Sequence, residues 1–258
     1  MNLIYKCPVC KSDNVNFEPG YLAQFVLWRI YKTYVNNHHL IPILRCNDCS
    51  FLCTAARFTA EETANLYNDY RGYEYNQLRV HCEPSYQHLV GKFTTQEEIQ
   101  RRLVGINTLI QRHIDPSTIK TLLDFGGGSG HFIPSNIDTT EKYVFDISMN
   151  PLVQNIKRFD GSCEKKFDFI MCCHVLEHVS EPKVVMKEIM HYGHIDTKYY
   201  FEVPEFDAPP MPNGIWHEHI NSFNETSFKK LLATSNLDII DMIKFNGNMG
   251  YLTIKTIE

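Results

Sequence analysis

The chain has 258 residues, of which 43% are hydrophobic and 21% charged, and its formal net charge is −5. This composition excludes an intrinsically disordered or collagen-like chain, and the acidic balance without a basic stripe argues against a nucleic-acid partner. No apolar run reaches the roughly 20 residues that span a bilayer, and the start MNLIYKCPVC lacks the basic and long apolar regions of a signal peptide. We therefore expect a cytoplasmic protein without a membrane span.

Two CxxC pairs with the same spacing occur near the start of the chain, Cys7 with Cys10 and Cys46 with Cys49. Four thiolates on two such turns match a tetrahedral zinc site, and the alternative is a set of unrelated buried cysteines. We predict that these four cysteines bind one structural zinc ion in a small zinc-ribbon domain over residues 1–58. Zinc would hold together a segment that is too small for a hydrophobic core of its own.

Residues 21–35 lie between the two cysteine pairs and are apolar and rich in aromatic side chains. This segment predicts a helix, which either lies in a membrane interface, touching lipid or a lipid-linked substrate, or packs on protein. Because basic residues are few in the segment, the packed helix is favoured over the interfacial one.

Residues 59–115 are predicted to form a mainly helical linker region. Thr59 with Glu62, and Thr95 with Glu98, match the pattern of a capped helix start. After the second of these starts, apolar side chains repeat with helical spacing, at Ile99, Leu103, Ile106 and Ile110. The region is also rich in tyrosine, whose rings could either line a substrate cleft or pack half-buried.

Residues 116–258 predict an α/β domain that opens with a buried strand and the glycine-rich turn Asp124-Phe-Gly-Gly-Gly-Ser-Gly130. Glycines allow this backbone to turn sharply and to approach a ligand closely. A helix is expected to start at His131, and the next strand ends in Asp146, whose carboxylate can accept both hydroxyls of a ribose. The turn differs from the GxGxxG of nicotinamide enzymes and lacks the lysine of the Walker motif.

The pattern DxGxGxG with an acidic end to the next strand resembles class I S-adenosylmethionine-dependent methyltransferases, and so does the segment FDFIMCCHVLEHV at residues 167–179. The resemblance covers about residues 117 to 257 and implies a Rossmann-like core with a mostly parallel seven-stranded sheet. It also implies S-adenosylmethionine as cofactor and S-adenosylhomocysteine as product. The cofactor-binding residues that it implies are Asp124, Gly126, Gly127, Gly128, Gly130, Asp146, Ile147 and His174.

Further along the chain, a strand and a proline-rich loop precede the motif Trp216-His-Glu-His219. Histidine titrates near neutral pH, and a neighbouring carboxylate can orient it and stabilise its charged form. His219 is therefore the candidate general base, with Glu218 and His217 beside it as further catalytic candidates. A metal site and a structural role stay open as alternatives, although the spacing is not that of the helical HExxH zinc motif.

In order along the chain, the cysteine pairs, DFGGGSG, HVLEHV, FEVPEF and WHEH resemble the zinc-containing sugar C-methyltransferases of deoxysugar biosynthesis. In that family a YHEH motif supplies a histidine base and its glutamate partner, which correspond to His219 and Glu218. Trp216 replaces the tyrosine, and tyrosines of the amino-terminal part approach the sugar, which implies Tyr73, Tyr75 and Trp216 as substrate-binding residues. The base would remove a proton next to a ketone, and the enolate would take the methyl group.

The resemblance ends at Glu258, before the third domain of that family, which implies a reduced substrate site. We therefore expect a sugar, a nucleotide sugar or a related small metabolite as acceptor, and no nucleic acid. O-methylation of a glycan or a lipid-linked sugar is the first alternative, and a non-catalytic binding protein of the same fold is the second. A homo-oligomer is compatible with the sequence.

Overall fold

A computed structural model describes residues 1–33, 39–137, 141–148, 150–161, 165–206 and 218–256. The strands are β1 (Asn2–Leu3), β2 (Val15–Leu22), β3 (His39–Cys46), β4 (Leu52–Thr54), β5 (Ala56–Arg57), β6 (Thr121–Phe125), β7 (Glu141–Phe145), β8 (Ile156–Arg158), β9 (Phe167–Cys173), β10 (Gly193–Pro204), β11 (Asn221–Ser222), β12 (Leu237–Phe245) and β13 (Asn248–Lys255). The α-helices are α1 (Gln24–Tyr31), α2 (Ala60–Tyr67), α3 (Tyr73–Cys82), α4 (Gln96–His113), α5 (Pro182–His191) and α6 (Glu225–Ala233). Short 3-10 helices occupy Pro84–His88, Lys92–Thr94 and Pro116–Thr118.

The chain divides into two compact units, each assembled from three separate stretches. Unit 1 consists of Met1–Phe93, Glu177–Pro182 and Phe206–Lys230, and unit 2 consists of Thr94–Leu176, Lys183–Glu205 and Leu231–Glu258. This division differs from the expected one into residues 1–58, 59–115 and 116–258, because the helices of the expected linker region join different units. Leu66 of α2 and Tyr75 of α3 lie in the core of unit 1, whereas Leu103 of α4 lies in the core of unit 2.

A seven-stranded sheet forms the centre of unit 2, in the order β12-β13-β10-β9-β6-β7-β8. The five strands from β10 to β8 run parallel, and β13 runs antiparallel to both of its neighbours. This topology confirms the expected α/β, Rossmann-like sheet. The strands that follow β6 and β9 in sequence lie on opposite sides of this pair. The carboxyl ends of β6 and β9 therefore mark the switch point at which open α/β sheets bind ligands.

Helix α4 packs its apolar side within unit 2. The Thr95 side chain caps the helix by accepting a hydrogen bond from the backbone N–H of Glu98. The helix buries Leu103, Ile106, Leu109 and Ile110 in the same cluster as sheet residues, which confirms the predicted helical spacing. With 18 residues α4 is the longest helix described. No helix among the described residues combines the length and the apolar character needed to cross a bilayer.

The segment that follows the glycine-rich turn is where the structure departs from the expected secondary structure. The described residues from His131 to Ile137 form turns and bends, and no α-helix starts there. Pro134 contributes to the difference, because a proline disfavours the helical conformation of the residue before it, here Ile133.

Unit 1 combines two small sheets with helices α1, α2 and α3 and the first part of α6. The strand order is β11-β4-β3-β2 in one sheet, and β1 pairs with β5 in the other. Helix α1 falls within the aromatic segment 21–35, and it buries Phe25, Val26 and Ile30 in one core with Leu66 and Tyr75. The structure therefore supports the packed helix, not the interfacial one, for this segment.

Arg57 ties the three stretches of unit 1 together. Its side chain is 3% exposed. The guanidinium donates hydrogen bonds to the carbonyl oxygens of Val179 and Ser180, both at 2.9 Å, and to Asn221 Oδ1 at 2.7 Å. A buried guanidinium is costly without acceptors, so Arg57 is satisfied only when all three stretches are assembled.

Candidate functional site

The two predicted cysteine pairs come together at one place in unit 1. The four sulfur atoms all lie within 4.8 Å of one another, at Cys7, Cys10, Cys46 and Cys49. Two of the separations cross between the pairs, at 3.6 Å from Cys7 to Cys49 and 3.5 Å from Cys10 to Cys46. Four converging sulfurs are the donor set of a tetrahedral structural zinc site.

Both cysteine pairs lie on the same kind of turn. The backbone N–H of Lys11 donates to the carbonyl of Cys7 at 2.9 Å, and that of Ser50 donates to the carbonyl of Cys46 at 3.0 Å. Lys11 and Ser50 both have positive φ angles, 64° and 59°. The equal spacing in the sequence therefore produces two equivalent turns that present their sulfurs to a common point.

Unit 1 also brings two histidines and a carboxylate together. Side-chain atoms of Glu177, His178 and His219 that could bind a metal lie within 4.8 Å of one another. The two histidine rings meet edge to face, with centroids 4.6 Å apart. His178 Nδ1 lies 3.3 Å from the carbonyl oxygen of Glu218, and His178 Nε2 lies 3.8 Å from Glu177 Oε1. Because a carbonyl oxygen can only accept, Nδ1 carries a proton and Nε2 faces the carboxylate.

Glu218, the predicted partner of His219, has its carboxylate engaged by two residues of α3. Its Oε1 accepts a hydrogen bond from Arg79 Nη1 at 2.6 Å and another from the Tyr75 hydroxyl. Burial raises the pKa of Glu218, but the Arg79 charge, the His178 charge and the Tyr75 hydrogen bond together lower it to about 2. Glu218 is therefore ionised near neutral pH, and its carbonyl holds one ring nitrogen of His178.

Replacing Arg79 with methionine is expected to destabilise unit 1 by about 3–5 kcal/mol, because the Glu218 carboxylate would stay buried without its cation. Urea unfolding followed by tryptophan fluorescence, to which Trp28 of α1 contributes, measures the loss. The matched control is Arg101→Gln, which removes an exposed arginine paired with Glu98. An Arg79→Met protein as stable as the wild type would contradict the ion pair.

The same pair predicts an acid dependence of stability. A carboxyl whose folded pKa lies below its ordinary value of 4.5 stabilises the fold above that value, and this contribution disappears as pH falls toward 2. For Glu218 the contribution is about 3 kcal/mol at neutral pH. The wild type should therefore lose its stability advantage over Glu218→Gln as the pH falls from the ordinary carboxyl pKa of 4.5 toward 2. A gap between the two proteins that persists at pH 2 would contradict this.

The two predicted substrate-binding tyrosines lie on different sides of α3. Tyr73 is 79% exposed, whereas Tyr75 is 1% exposed and donates to Glu218. Residues two positions apart on a helix do not face the same way, which accounts for the difference. Of the two, Tyr73 is accessible to a ligand, and Tyr75 supports Glu218. Trp216 and His217 lie outside the described residues.

Three residues near His219 or its neighbour Glu218 were not among the predicted site residues. Glu177 and His178 belong to the motif HVLEHV, so the signal that could have found them was already in the sequence. Arg79 gave no such signal, because its partner Glu218 lies 139 positions further along the chain. The tertiary fold alone reveals that pair.

In unit 2 the glycine-rich turn follows β6, and Asp146 follows the neighbouring strand β7. Asp146 Oδ2 accepts the backbone N–H of Gly128 at 2.7 Å, and its Oδ1 accepts that of Ser148 at 2.7 Å. A Cβ added at Gly128 would meet none of the described residues within 4 Å, although the φ of 59° still favours glycine. The described residues therefore leave space beside this turn. The side chain of Ile147, next to Asp146, is 64% exposed.

Asp124 is a buried carboxylate with one unsatisfied oxygen. It is 2% exposed, and its Oδ2 has no hydrogen-bond partner among the residues described. Burial and then the charge of Asp146 raise the pKa of Asp124 to about 7, while the charge of Arg102 acts in the opposite direction. A Cβ at Gly127 would lie 2.2 Å from this carboxylate, so glycine is required for the close approach. A buried carboxylate of this kind suits a cationic group of a ligand.

His174 lies directly after β9, at the switch point of the sheet. Its φ of 55° is in the left-handed region, which is uncommon for residues other than glycine. Its Nε2 lies 2.9 Å from Glu202 Oε1, and the Tyr200 hydroxyl donates to Oε2 of the same carboxylate at 2.6 Å. Glu202 and Tyr200, which were not predicted, thus hold the predicted cofactor residue His174 in place.

A protein-family profile described as a methyltransferase domain matches residues 95–241 of the chain. The match begins at the cap of α4 and ends within β12, so it contains the glycine-rich turn, Asp146 and the histidines at 174, 178 and 219. No curated protein sequence matches the chain significantly.

Solved structures are similar in fold at low sequence identity. One is the Burkholderia thailandensis 1,6-didemethyltoxoflavin-N1-methyltransferase, solved with bound 1,6-didemethyltoxoflavin and S-adenosylhomocysteine. It is 16% identical, with a TM-score of 0.55, and the match covers 82% of this chain and 98% of that one. A Haloferax volcanii complex of the Trm112 methyltransferase activator with a methyltransferase is 11% identical, with a TM-score of 0.51 over 68% and 97%. The mitomycin 7-O-methyltransferase MmcR is 13% identical, with a TM-score of 0.49 over 70% of this chain, and the match spans 60% of that protein.

Proposed function

Since this chain belongs to the methyltransferase-domain family and is an S-adenosylmethionine-dependent methyltransferase, we propose that it methylates a sugar, a nucleotide sugar or a related small metabolite, with His219 as general base. The observation that carries the proposal is the cluster of His219 with His178 and Glu177. A histidine in such a cluster can accept a proton near neutral pH, because the carboxylate stabilises the imidazolium that forms.

The proposed cofactor site uses the described residues at the ends of β6, β7 and β9. When bound, S-adenosylmethionine supplies an electrophilic methyl group on a sulfonium ion. We assign the ribose hydroxyls to Asp146 and the adenine side to its exposed neighbour Ile147. The glycines from Gly126 to Gly130 would let the backbone approach the methionine end, and His174 would border the same crevice. The space that the described residues leave beside Gly128, and the Asp124 oxygen without a partner among them, support this fit.

In the proposed reaction His219 takes a proton from the acceptor, either from a carbon next to a ketone or from a hydroxyl. The electron pair left on the acceptor is then the nucleophile for the methyl group. The hydrogen bond from His178 Nδ1 to the Glu218 carbonyl keeps the neighbouring ring in one orientation. The negative charge of Glu177 favours the protonated state that His219 reaches during the reaction.

Transfer of labelled methyl from S-adenosylmethionine to a panel of nucleotide sugars, half of them 4-keto sugars, tests the proposal. Label on keto sugars alone, in a bond that resists hydrolysis, indicates C-methylation. Label on ordinary hydroxyl-bearing sugars indicates O-methylation instead. If glycans or other acceptors are labelled but no nucleotide sugar is, the proposal of a nucleotide-sugar acceptor is wrong. The assignment to the methyltransferase family would be unaffected.

Replacing Asp146 with alanine should weaken S-adenosylhomocysteine binding by roughly 10- to 100-fold, the effect of losing a hydrogen bond to a charged group. The variant loses both the proposed ribose acceptor and the anchor of the Gly128 N–H. Isothermal titration calorimetry measures the affinity. Asp238→Ala, which removes an exposed carboxylate of β12, is the matched control. An unchanged affinity in Asp146→Ala would remove Asp146 from the ribose site.

We also propose that Cys7, Cys10, Cys46 and Cys49 bind one structural zinc ion. The convergence of their sulfurs within 4.8 Å and the two equivalent turns support this assignment. The zinc would have four protein ligands and no open coordination position, which is the arrangement of structural sites and not of catalytic ones.

A further inference from the structure

Two neighbouring arginines of α4 differ in their hydrogen-bond partners. Arg101 is exposed and donates to both carboxylate oxygens of Glu98, at 2.7 and 2.6 Å. Arg102 is half-buried, and its Nε has no hydrogen-bond partner among the described residues. The Arg102 guanidinium instead lies over the ring of Phe132, 4.0 Å from the ring centre. Because a guanidinium offers five N–H donors, Arg102 has bonding capacity that a ligand can use.

Arg102 stands close to the glycine-rich turn and to the switch point of the sheet. Phe132, beneath its guanidinium, comes two residues after Gly130, the last glycine of the turn. The positive charge of Arg102 also lowers the pKa of two groups that burial raises, Asp124 in β6 and Cys173 at the end of β9. Its guanidinium therefore acts at the crevice where open α/β sheets bind ligands.

Asp124 lies close enough to Arg102 for the arginine charge to lower its pKa, and a cationic group of a ligand would favour its charged form further. Its buried Oδ2, like Arg102 Nε, has no partner among the described residues. Two incompletely bonded groups of opposite charge at fixed positions are complementary to a zwitterion, such as the amino-acid end of a ligand. In addition, the described residues from His131 to Ile137 form no α-helix whose amino terminus could receive a carboxylate. A carboxylate bound here would depend on a cationic side chain.

We infer that Arg102 binds the α-carboxylate at the methionine end of S-adenosylmethionine, opposite the α-ammonium that faces Asp124. The inference rests on the proposed cofactor site and adds to it a residue from outside the glycine-rich motif. Arginine pairs with carboxylates through two parallel N–H···O bonds, which fix the orientation of the ligand as well as its affinity. The stacking on Phe132 would hold the guanidinium ready for this pairing.

The test compares S-adenosylmethionine with decarboxylated S-adenosylmethionine, which keeps the adenosine, the sulfonium and the ammonium and lacks only the carboxylate. Isothermal titration calorimetry gives both affinities without turnover. Arg102→Gln should weaken the binding of S-adenosylmethionine by about 10- to 100-fold. The affinity for the decarboxylated ligand should change by less than about twofold. Arg102→Lys keeps the positive charge but loses the paired N–H donors of the guanidinium. Its affinity for S-adenosylmethionine should therefore fall between those of the wild type and Arg102→Gln.

Arg101→Gln is the matched control and should change neither affinity. Equal weakening of both ligands by Arg102→Gln would overturn the inference, since Arg102 would then only support the fold of the site. Unchanged affinity for both ligands in Arg102→Gln would overturn it as well. A wild-type protein that binds neither ligand would instead overturn the proposed cofactor site, and this inference with it.

Discussion

His219→Ala is expected to lower the rate of methyl transfer by about 10²- to 10⁴-fold, the range that a positioned general base contributes. Alanine cannot accept the acceptor's proton, so the nucleophile would have to form without assistance. The affinity for S-adenosylhomocysteine should stay unchanged, because the residues assigned to the cofactor are others. Single-turnover transfer of labelled methyl at saturating cofactor separates the two effects.

The control for this experiment is a second histidine of unit 1. His81 is exposed on α3, and His81→Ala should keep the wild-type rate. A fully active His219→Ala enzyme would show that another group is the base. A variant that lost its cofactor affinity in proportion to its rate would indicate that His219 shapes the site without taking the proton.

Removing the zinc proposed at the four cysteines should unfold unit 1. Binding of structural zinc in small domains is worth about 10–16 kcal/mol near neutral pH, which is comparable to the whole stability of a typical domain. Chelation should therefore release one zinc ion per chain, and the tryptophan fluorescence of unit 1 should shift to that of an unfolded chain. Metal analysis of the purified protein and of the chelated fraction measures the stoichiometry.

Cys46→Ser gives an independent version of the same test. It removes one sulfur of the four and should reproduce the effect of chelation, whereas Cys82→Ser, on α3 outside the cluster, should not. A purified wild-type protein that contains no zinc and is nevertheless fully folded would contradict the assignment.

The features that the sequence predicted well depend on short stretches of chain. The two CxxC turns, the cap of α4 at Thr95 and the glycine-rich turn after β6 each follow from residues within a few positions of one another. Local sterics and hydrogen bonding determine such features, so that a pattern of residue types is sufficient to find them. The mostly parallel seven-stranded sheet was expected from the family resemblance that these local patterns carry.

The features that the sequence predicted poorly depend on partners far along the chain. Glu218 was paired with its neighbour His219, but its carboxylate contacts Arg79 and Tyr75 of α3. Tyr75 was expected at the substrate but is buried. The sequence pattern of α3 did not reveal which side of the helix faces the core. The helix expected at His131 is a local error, since Pro134 disfavours the helical conformation of the residue before it.

The interleaved order of the stretches that form unit 1 has a consequence for synthesis on the ribosome. The first 93 residues contain the four clustered cysteines and helices α1 to α3. Strand β11 pairs with β4, and Ile220 packs in the core of unit 1, but both are translated much later. A nascent chain therefore completes unit 1 only after strands β6 to β10 of unit 2 have been translated. We expect a fragment ending at Phe93 to be digested readily by proteases, in contrast to the whole chain. Because unit 1 is encoded by three separate stretches, recombination of one continuous gene segment could not transfer it alone, and the two units would be inherited together.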